Sequence, residues 1–103
     1  MKKDREEYFA FDFEGYIDIP SDGLYTIYLV SNDGSRLSLD DNVFINLDYL
    51  HPAVEEFKTV ALAAGKHAIA VKYFQAGASS ILKLLWEGPG FEKQEIPASV
   101  LFN

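Results

Sequence analysis

Hydrophobic and polar residues alternate with a period of two along most of the chain, the pattern of β-strands with one buried face. The first alternation covers residues 9–19 and predicts one long strand, with a bulge at Gly15. Residues 20–23 combine a fixed φ, an Asx acceptor and a glycine, which predicts a tight turn. Residues 24–30 are apolar on both faces and rich in β-branched and aromatic side chains, which favours a strand in the middle of a sheet.

The middle of the chain predicts a hairpin followed by an irregular stretch. Leu37 and Leu39 restore the alternation and predict the first strand of the hairpin. Residues 40–42 predict its turn, and residues 43–45 predict its second strand. Periodicity is then lost over residues 46–58, which are predicted to form the longest irregular segment, with one helical turn available to residues 53–57.

The last part of the chain predicts further strands separated by turn signals. Strands are expected at residues 59–62, 67–74 and 82–87, with a turn at 64–66, a small-residue loop at 75–80, a stop at 88–90, a polar tail at 91–95 and a last apolar piece at 100–102. Trp86 continues the alternation of Leu82 and Leu84, so it is predicted to lie in the core.

Short strands with turn signals every ~8–12 residues are typical of an antiparallel sandwich. The fold prediction is an all-β, jelly-roll-like antiparallel β-sandwich of about seven to nine short strands. It occupies residues 8–103 as a single domain, after a disordered or artificial start at residues 1–7.

Composition and charge exclude several classes of function. The 103 residues carry a formal net charge of −7, which disfavours nucleic acid and anionic membranes as partners. No apolar run reaches the ~18 residues of a transmembrane helix. Residues 1–7 are charged and no apolar core follows them, so they are not predicted to be a signal peptide. The chain has no cysteine, so disulfides, thiolate metal sites and cysteine nucleophiles are excluded.

No catalytic motif emerges from the titratable residues. The 16 acidic residues form no recognisable carboxylate pair, and the two histidines are far apart in the sequence. No glycine-rich loop joins a strand to a helix. The chain itself is therefore predicted not to be an enzyme.

Five segments, in order, resemble one known family. They are FEGYIDIPSDGLYTI at residues 13–27, SNDGSRL at 31–37, LAAGKH at 62–67, VKYFQ at 71–75 and LLWEGPG at 84–90. No single segment is specific, but together they are similar to the PA-fourteen domain, named after the protective-antigen toxin component. The resemblance is to the short form that is attached to bacterial glycoside hydrolases.

The resemblance implies a β-sandwich that acts as a noncatalytic, carbohydrate-associated module of a larger exported glycoside hydrolase. Such a module binds glycan or shapes the substrate cleft of its own parent chain, and it is expected to be monomeric and extracellular, periplasmic or at the cell surface. The alternative is a structural or protein-docking module without a ligand, and a toxin-assembly or pro-peptide role comes third. A binding module should present an aromatic side chain with polar groups in a cleft, whereas a docking module should expose a flatter apolar patch.

Some lectin members of this family bind sugar through calcium, using two consecutive aspartates joined by a cis peptide bond. The matching positions are Asn32 and Asp33, and asparagine removes one negative charge from a site that needs hard oxygen ligands. The asparagine that those lectins take from a later loop has no counterpart in residues 75–80. We therefore expect that the domain requires no cofactor. Two alternatives stay open for Asn32 and Asp33: they bind calcium, or they form an Asx turn.

Candidate glycan contacts combine one exposed aromatic side chain with planar polar groups. The predicted set is Asn32, Asp33, Arg36, Tyr49 and Gln75. Phe57 and Phe91 are further aromatic candidates because they fall in segments predicted to be irregular, whereas Tyr25, Tyr28 and Tyr73 fit strand patterns and are assigned to packing.

The loops that carry these candidates are residues 31–34, 40–42, 46–58 and 75–80. The loop aspartates, Asp22, Asp33, Asp40, Asp41 and Asp48, would attract cations if the loops converged. Asp41 stands where the family usually has glycine, and Asn42 is expected to take the positive φ of that turn.

Overall fold

The computed structural model describes residues 10–32, 34–47, 54–74 and 82–103, which form two packed antiparallel sheets. The strands are β1 (Ala10–Ile19), β2 (Gly23–Ser31), β3 (Gly34–Leu39), β4 (Asn42–Leu47), β5 (Val54–Leu62), β6 (Gly65–Phe74), β7 (Leu82–Gly88), β8 (Phe91–Glu95) and β9 (Leu101–Phe102). The predicted all-β sandwich is confirmed.

The two sheets have the strand orders β4-β3-β6-β1-β9 and β5-β2-β7-β8. The core between them is built from alternate, inward positions of both sheets and from Ile96, which follows β8. The sheet positions are Ile17, Ile19, Tyr25, Ile27, Leu29, Leu37, Leu39, Ile45, Leu47, Leu62, Ile69, Val71 and Trp86. β2 lies inside its sheet between β5 and β7, as its apolar composition predicts. Trp86 is buried, which confirms its assignment to the core.

The turn between β3 and β4 differs from the prediction. Positive φ angles occur at Asp40 (51°) and Asp41 (69°), while Asn42 already belongs to β4. The prediction that Asn42 takes the positive φ is therefore wrong. A two-residue hairpin loop with the twist of the strands needs positive φ at both central residues, and aspartate tolerates that conformation better than most residues do.

Two segments without clear alternation are strands. The stretch 46–58, predicted to be irregular, begins inside β4, which ends at Leu47, and enters β5 at Val54. The helical turn considered for residues 53–57 is therefore wrong over the residues that the structure describes there. The predicted polar tail at 91–95 is β8, paired with β7. β5 and β8 are the edges of their sheet, and edge strands commonly carry charged residues on exposed faces. Their sequences therefore lack the alternation of half-buried strands.

Gly15 does not form a bulge against β6. β1 pairs with β6 in unbroken register from Ala10 opposite Phe74 to Ile19 opposite Gly65. Gly15 instead lies against the short strand β9, where an added Cβ would overlap the carbonyl oxygen of Phe102. The glycine at this position thus permits the close approach of β9 to β1.

Helical structure within the described ranges is limited to a 3₁₀ turn at Ala98–Val100. None of the described residues form a helix with the length and apolar character needed to cross a membrane.

Candidate functional site

The strand register separates the connections of the sandwich into two ends. At one end, here called the loop end, Ser31 lies opposite both Val54 and Leu82, and Gly34 lies opposite Phe74. The strand ends that flank residues 33, 48–53 and 75–81 therefore meet there. The opposite end, here called the turn end, carries the β1–β2, β3–β4, β5–β6 and β7–β8 connections.

Asn32 is the one predicted calcium or glycan residue of the β2–β3 connection that the structure describes. It is half-buried at the loop end, and its Oδ1 accepts a hydrogen bond of 2.7 Å from the hydroxyl of the buried Tyr73. This bond fixes the direction of the Asn32 amide. Asp33, Tyr49 and Gln75 lie outside the described residues.

The aspartates of the turns do not join the loop end. Asp22, Asp40 and Asp41 lie at the turn end, whereas Asp33 and Asp48 belong to connections flanked by the loop-end strands. The predicted loop 40–42 is therefore separated from the other three candidate loops. Asp22 Oδ1 accepts a hydrogen bond of 2.8 Å from the backbone N–H of Ala64, so it joins two turns.

His67 ties the β3–β4 turn to the β5–β6 turn. Its Nδ1 lies 2.8 Å from Asp40 Oδ2, and its Nε2 lies 2.8 Å from the carbonyl oxygen of Ala63. Both ring nitrogens thus face acceptors, which favours the imidazolium form, in which both donate. The bond to Ala63 and then the bond to Asp40 raise the pKa of His67 above its ordinary 6.5, against a smaller opposing effect of burial.

The His67 contacts predict a stability that falls as the pH rises. Because the folded pKa is raised, the stabilisation is complete below the unfolded pKa of 6.5 and is lost as the pH passes through the folded pKa. Asp40 is 48% exposed, so solvent screening limits the loss to roughly 1 kcal/mol. Urea unfolding at about pH 5.5 and about pH 8 should show this difference in the wild type and a smaller one in His67→Gln. Asp40→Asn should also reduce it, and equal pH dependence in all three proteins would contradict the assignment.

Arg36 lies on the outer face of the five-stranded sheet, two residues from the loop end. In register it faces Asn46 of β4 on one side and Lys72 of β6 on the other, and Lys72 faces Asp12 of β1. The next row toward the turn end contains the smaller side chains Ser38 and Ala70. The predicted donor Arg36 therefore lies at the border of a depression in the same sheet face, where the side chains are small.

A trough of about 400 Å³ lies on this face, and we call it the β6 trough. It is lined by Glu14, Gly15, Tyr16, Ser38, Asp41, Ala68, Ile69, Ala70 and Asn103. Ala68 and Ala70 alternate outward along β6, opposite the larger Tyr16 and Glu14 of β1, and Ser38 of β3 lies on the other side of Ala70. These small side chains form the low centre of the face. The volume is within the range of small-ligand sites.

Tyr16 is the aromatic residue of the β6 trough. It lies opposite Ala68 on β1 and keeps 47% of its surface exposed. Tyr16 and Glu14 were not among the predicted site residues, although the alternation places both of them on the polar face of β1. The missing information was the register, which places them beside alanines rather than beside bulky side chains.

The two other aromatic candidates lie elsewhere. Phe91 is half-buried, with ring centroids 4.9 Å from Trp86 and 6.2 Å from Tyr25, so it is a packing residue. Phe57 lies in β5 and is 62% exposed on the outer face of the four-stranded sheet. Its ring centroid is 5.6 Å from that of Tyr28.

Tyr28 and Tyr73 have the packing roles predicted for them. Tyr28 is the cross-strand neighbour of Phe57, and Lys93 Nζ lies 4.2 Å above its ring. The Tyr28 hydroxyl donates to Glu87 at 2.6 Å, and this bond, with burial and the negative charge of Glu87, raises the pKa of Tyr28. Tyr73 is buried and supports Asn32.

No group of three or more histidine or carboxylate side chains suited to a metal ion occurs within residues 10–32, 34–47, 54–74 and 82–103. Because Asp33 is outside these ranges, calcium at Asn32 and Asp33 stays a prediction.

The chain, whose described residues form a sandwich of nine strands, matches the family model of the PA14 domain over residues 2–99. The chain belongs to the PA14 domain family. This confirms the resemblance carried by the five sequence segments, since PA14 is the PA-fourteen domain.

This PA14 domain is similar to parts of longer proteins and spans less than two thirds of their length. It is 34% identical over 79 residues to the anti-sigma-I factor RsgI3 of Acetivibrio thermocellus, which covers 76% of this chain and 12% of that protein. A solved anti-sigma factor domain-containing protein is 30% identical, with a TM-score of 0.85 over 90% of this chain and 33% of that one. The PA14 sugar-binding domain of an RTX adhesin shares the fold, with 14% identity and a TM-score of 0.78 over 91% of this chain and 54% of that one.

Proposed function

We propose that the PA14 domain is a noncatalytic carbohydrate-binding module of a larger exported protein and that it holds glycan in the β6 trough. The observation that carries this proposal is the exposed ring of Tyr16 beside a cleft with hydrogen-bonding groups. An aromatic ring can pack on the apolar C–H face of a sugar, while Glu14 and Asp41 accept hydrogen bonds from its hydroxyls. The PA14 sugar-binding domain of the RTX adhesin has the same fold, which is consistent with this function.

The trough also fits binding without chemistry. Its two carboxylates, Glu14 and Asp41, are both exposed, whereas a glycosidase needs one carboxyl group kept protonated by burial. Glycan binding in the trough, as proposed, requires no cofactor. Calcium at Asn32 and Asp33 would add a second contact at the loop end.

The parent protein is proposed to be of the anti-sigma factor type. Two relatives at 30% identity or more carry that description, and the chain spans only 12% and 33% of their lengths. This replaces the glycoside hydrolase parent implied by the sequence resemblance as the first choice. Glycan contact would then take place outside the cell, with the domain as a ligand-binding part of its own parent chain.

Tyr16→Ala tests the proposal against a matched control. Glycan array screening followed by titration should show that Tyr16→Ala weakens glycan binding by about tenfold, the loss expected for one aromatic contact. Phe57→Ala removes an exposed aromatic residue from the opposite sheet and should leave binding unchanged. Asp33→Ala, assayed with and without calcium, should weaken binding only if the loop end takes part. Unchanged binding in Tyr16→Ala, with the fold intact by circular dichroism, would contradict the trough.

A docking module is the second candidate, favoured by a specific observation. Leu24 and Phe57 are 65% and 62% exposed on the outer face of the four-stranded sheet. Exposed apolar side chains on a flat face are typical of protein contacts. The absence of any glycan ligand in the array, for the wild type with and without calcium, would make this candidate the leading one.

A further inference from the structure

We propose that the β6 trough selects uncharged glycans over uronic-acid polymers, an inference that rests on the proposed function. The charged side chains that line the trough are Glu14 and Asp41, and both are acidic. They stand on different elements, since Glu14 lies on β1 and Asp41 in the β3–β4 turn. A sugar lying over Ala68 and Ala70 would thus have a carboxylate on each side.

The strand register explains why the negative charge is concentrated in the trough. At the two ends of this face, Asp12 lies opposite Lys72 and Asp18 lies opposite Lys66, so each aspartate has a basic neighbour. Between them, Glu14 lies opposite Ala70. The charges of the face are therefore balanced in register at its ends and acidic in its middle.

Hydrogen-bond chemistry favours the same ligand class. An ionised carboxylate is an acceptor only, and the hydroxyls of a neutral sugar are donors that satisfy it. A uronate would bring a further acceptor and a like charge toward Glu14 and Asp41. At a separation of about 5 Å in water, two such repulsions lower affinity by roughly tenfold. The formal net charge of −7 acts in the same direction at longer range.

Lys66 opposes this inference, because its Nζ lies 4.1 Å above the ring of Phe102, the cross-strand neighbour of Tyr16. Arg36 and Lys72 oppose it as well. They lie one row nearer the loop end than Ser38 and Ala70, on the same sheet face. A uronate that reached them would be attracted, so binding of acidic polymers there must be measured separately from binding in the trough.

The test compares neutral polymers with acidic ones at an ionic strength of about 0.15 M, where charges beyond roughly 8 Å are screened. The probes are xylan, mixed-linkage β-glucan and galactomannan against polygalacturonate and alginate, in affinity electrophoresis. The wild type should bind at least one neutral polymer and neither acidic one. The double variant Glu14→Gln with Asp41→Asn should improve binding of acidic relative to neutral polymers by roughly tenfold. The control Asp18→Asn removes a carboxylate that lies opposite Lys66, outside the trough lining, and should change this ratio little.

Three results would overturn the inference. In the first, the wild type binds polygalacturonate as tightly as a neutral polymer and Tyr16→Ala weakens both; the proposed function then stands while the selectivity fails. In the second, the double variant has the same polymer preference as the wild type, which also removes the role of the two carboxylates. In the third, no polymer of either class binds the wild type, and the proposed function itself fails.

Discussion

Trp86→Ala is expected to lower the free energy of unfolding by about 3–5 kcal/mol, the usual loss when a large aromatic side chain is removed from a core. Trp86 is 3% exposed, and its ring centroid lies 6.0 Å from Tyr25 and 4.9 Å from Phe91. These contacts join β7 to β2 and β8, so the cavity would open where three strands of the four-stranded sheet meet. Urea unfolding followed by circular dichroism measures the loss.

Trp86→Phe provides the graded comparison for this site. The indole Nε1 is buried without a hydrogen-bond partner among the described residues, so phenylalanine removes an unsatisfied donor along with part of the ring. We expect Trp86→Phe to cost less than half as much as Trp86→Ala. Phe57→Ala should cost under about 1.5 kcal/mol, because Phe57 is 62% exposed. A loss in Trp86→Ala no larger than that in Phe57→Ala would show that Trp86 does not anchor the core.

Gly15→Ala is expected to lower the free energy of unfolding by about 2–3 kcal/mol, the cost of forcing atoms into filled space. The new Cβ would overlap the carbonyl oxygen of Phe102, and a backbone atom cannot move away as a flexible side chain can. β9 would therefore have to leave β1. Thermal unfolding measures the loss, and amide hydrogen exchange at residues 101–102 shows whether β9 has separated.

The same substitution in a chain that ends at Val100 isolates the cause. Without β9 the backbone clash is gone and the new Cβ meets only the end of the Phe13 ring, at 3.0 Å, which can shift. Gly15→Ala should then cost under about 0.5 kcal/mol. An equal loss in both backgrounds would contradict the clash with β9. Since Gly15 and Asn103 line the β6 trough, Gly15→Ala in the full chain should also weaken glycan binding.

The strands with one buried face could be predicted from the sequence because burial on one side leaves a period of two. Residues such as Ile17, Leu37, Ile69 and Trp86 alternate with polar or smaller positions, and all four are buried. The tight turn before β2 was predictable for a different reason. Its Pro20 and Gly23 restrict or extend φ locally, without any tertiary contact.

The first half of β5 and the whole of β8, which lie at the edges of their sheet, were not predictable in this way. Val54 to Leu62 form a strand because the backbone of β2 offers hydrogen-bond partners from Ser31 to Gly23, and most of their side chains are exposed. A strand held mainly by backbone pairing leaves little pattern in side-chain hydrophobicity.

The sequence by itself determined the all-β class, the family, most of the core and the acidic character of the surface, since each depends on local pattern or on composition. Only the tertiary structure decided which distant residues share a surface. It separated Asp40 and Asp41 from the loop end that carries Asn32, and it placed Tyr16 and Glu14 beside Ala68 and Ala70. The physical reason is register: a shift of one residue between β1 and β6 would turn every side chain of β1 to the other face. That register depends on the packing of the whole sandwich.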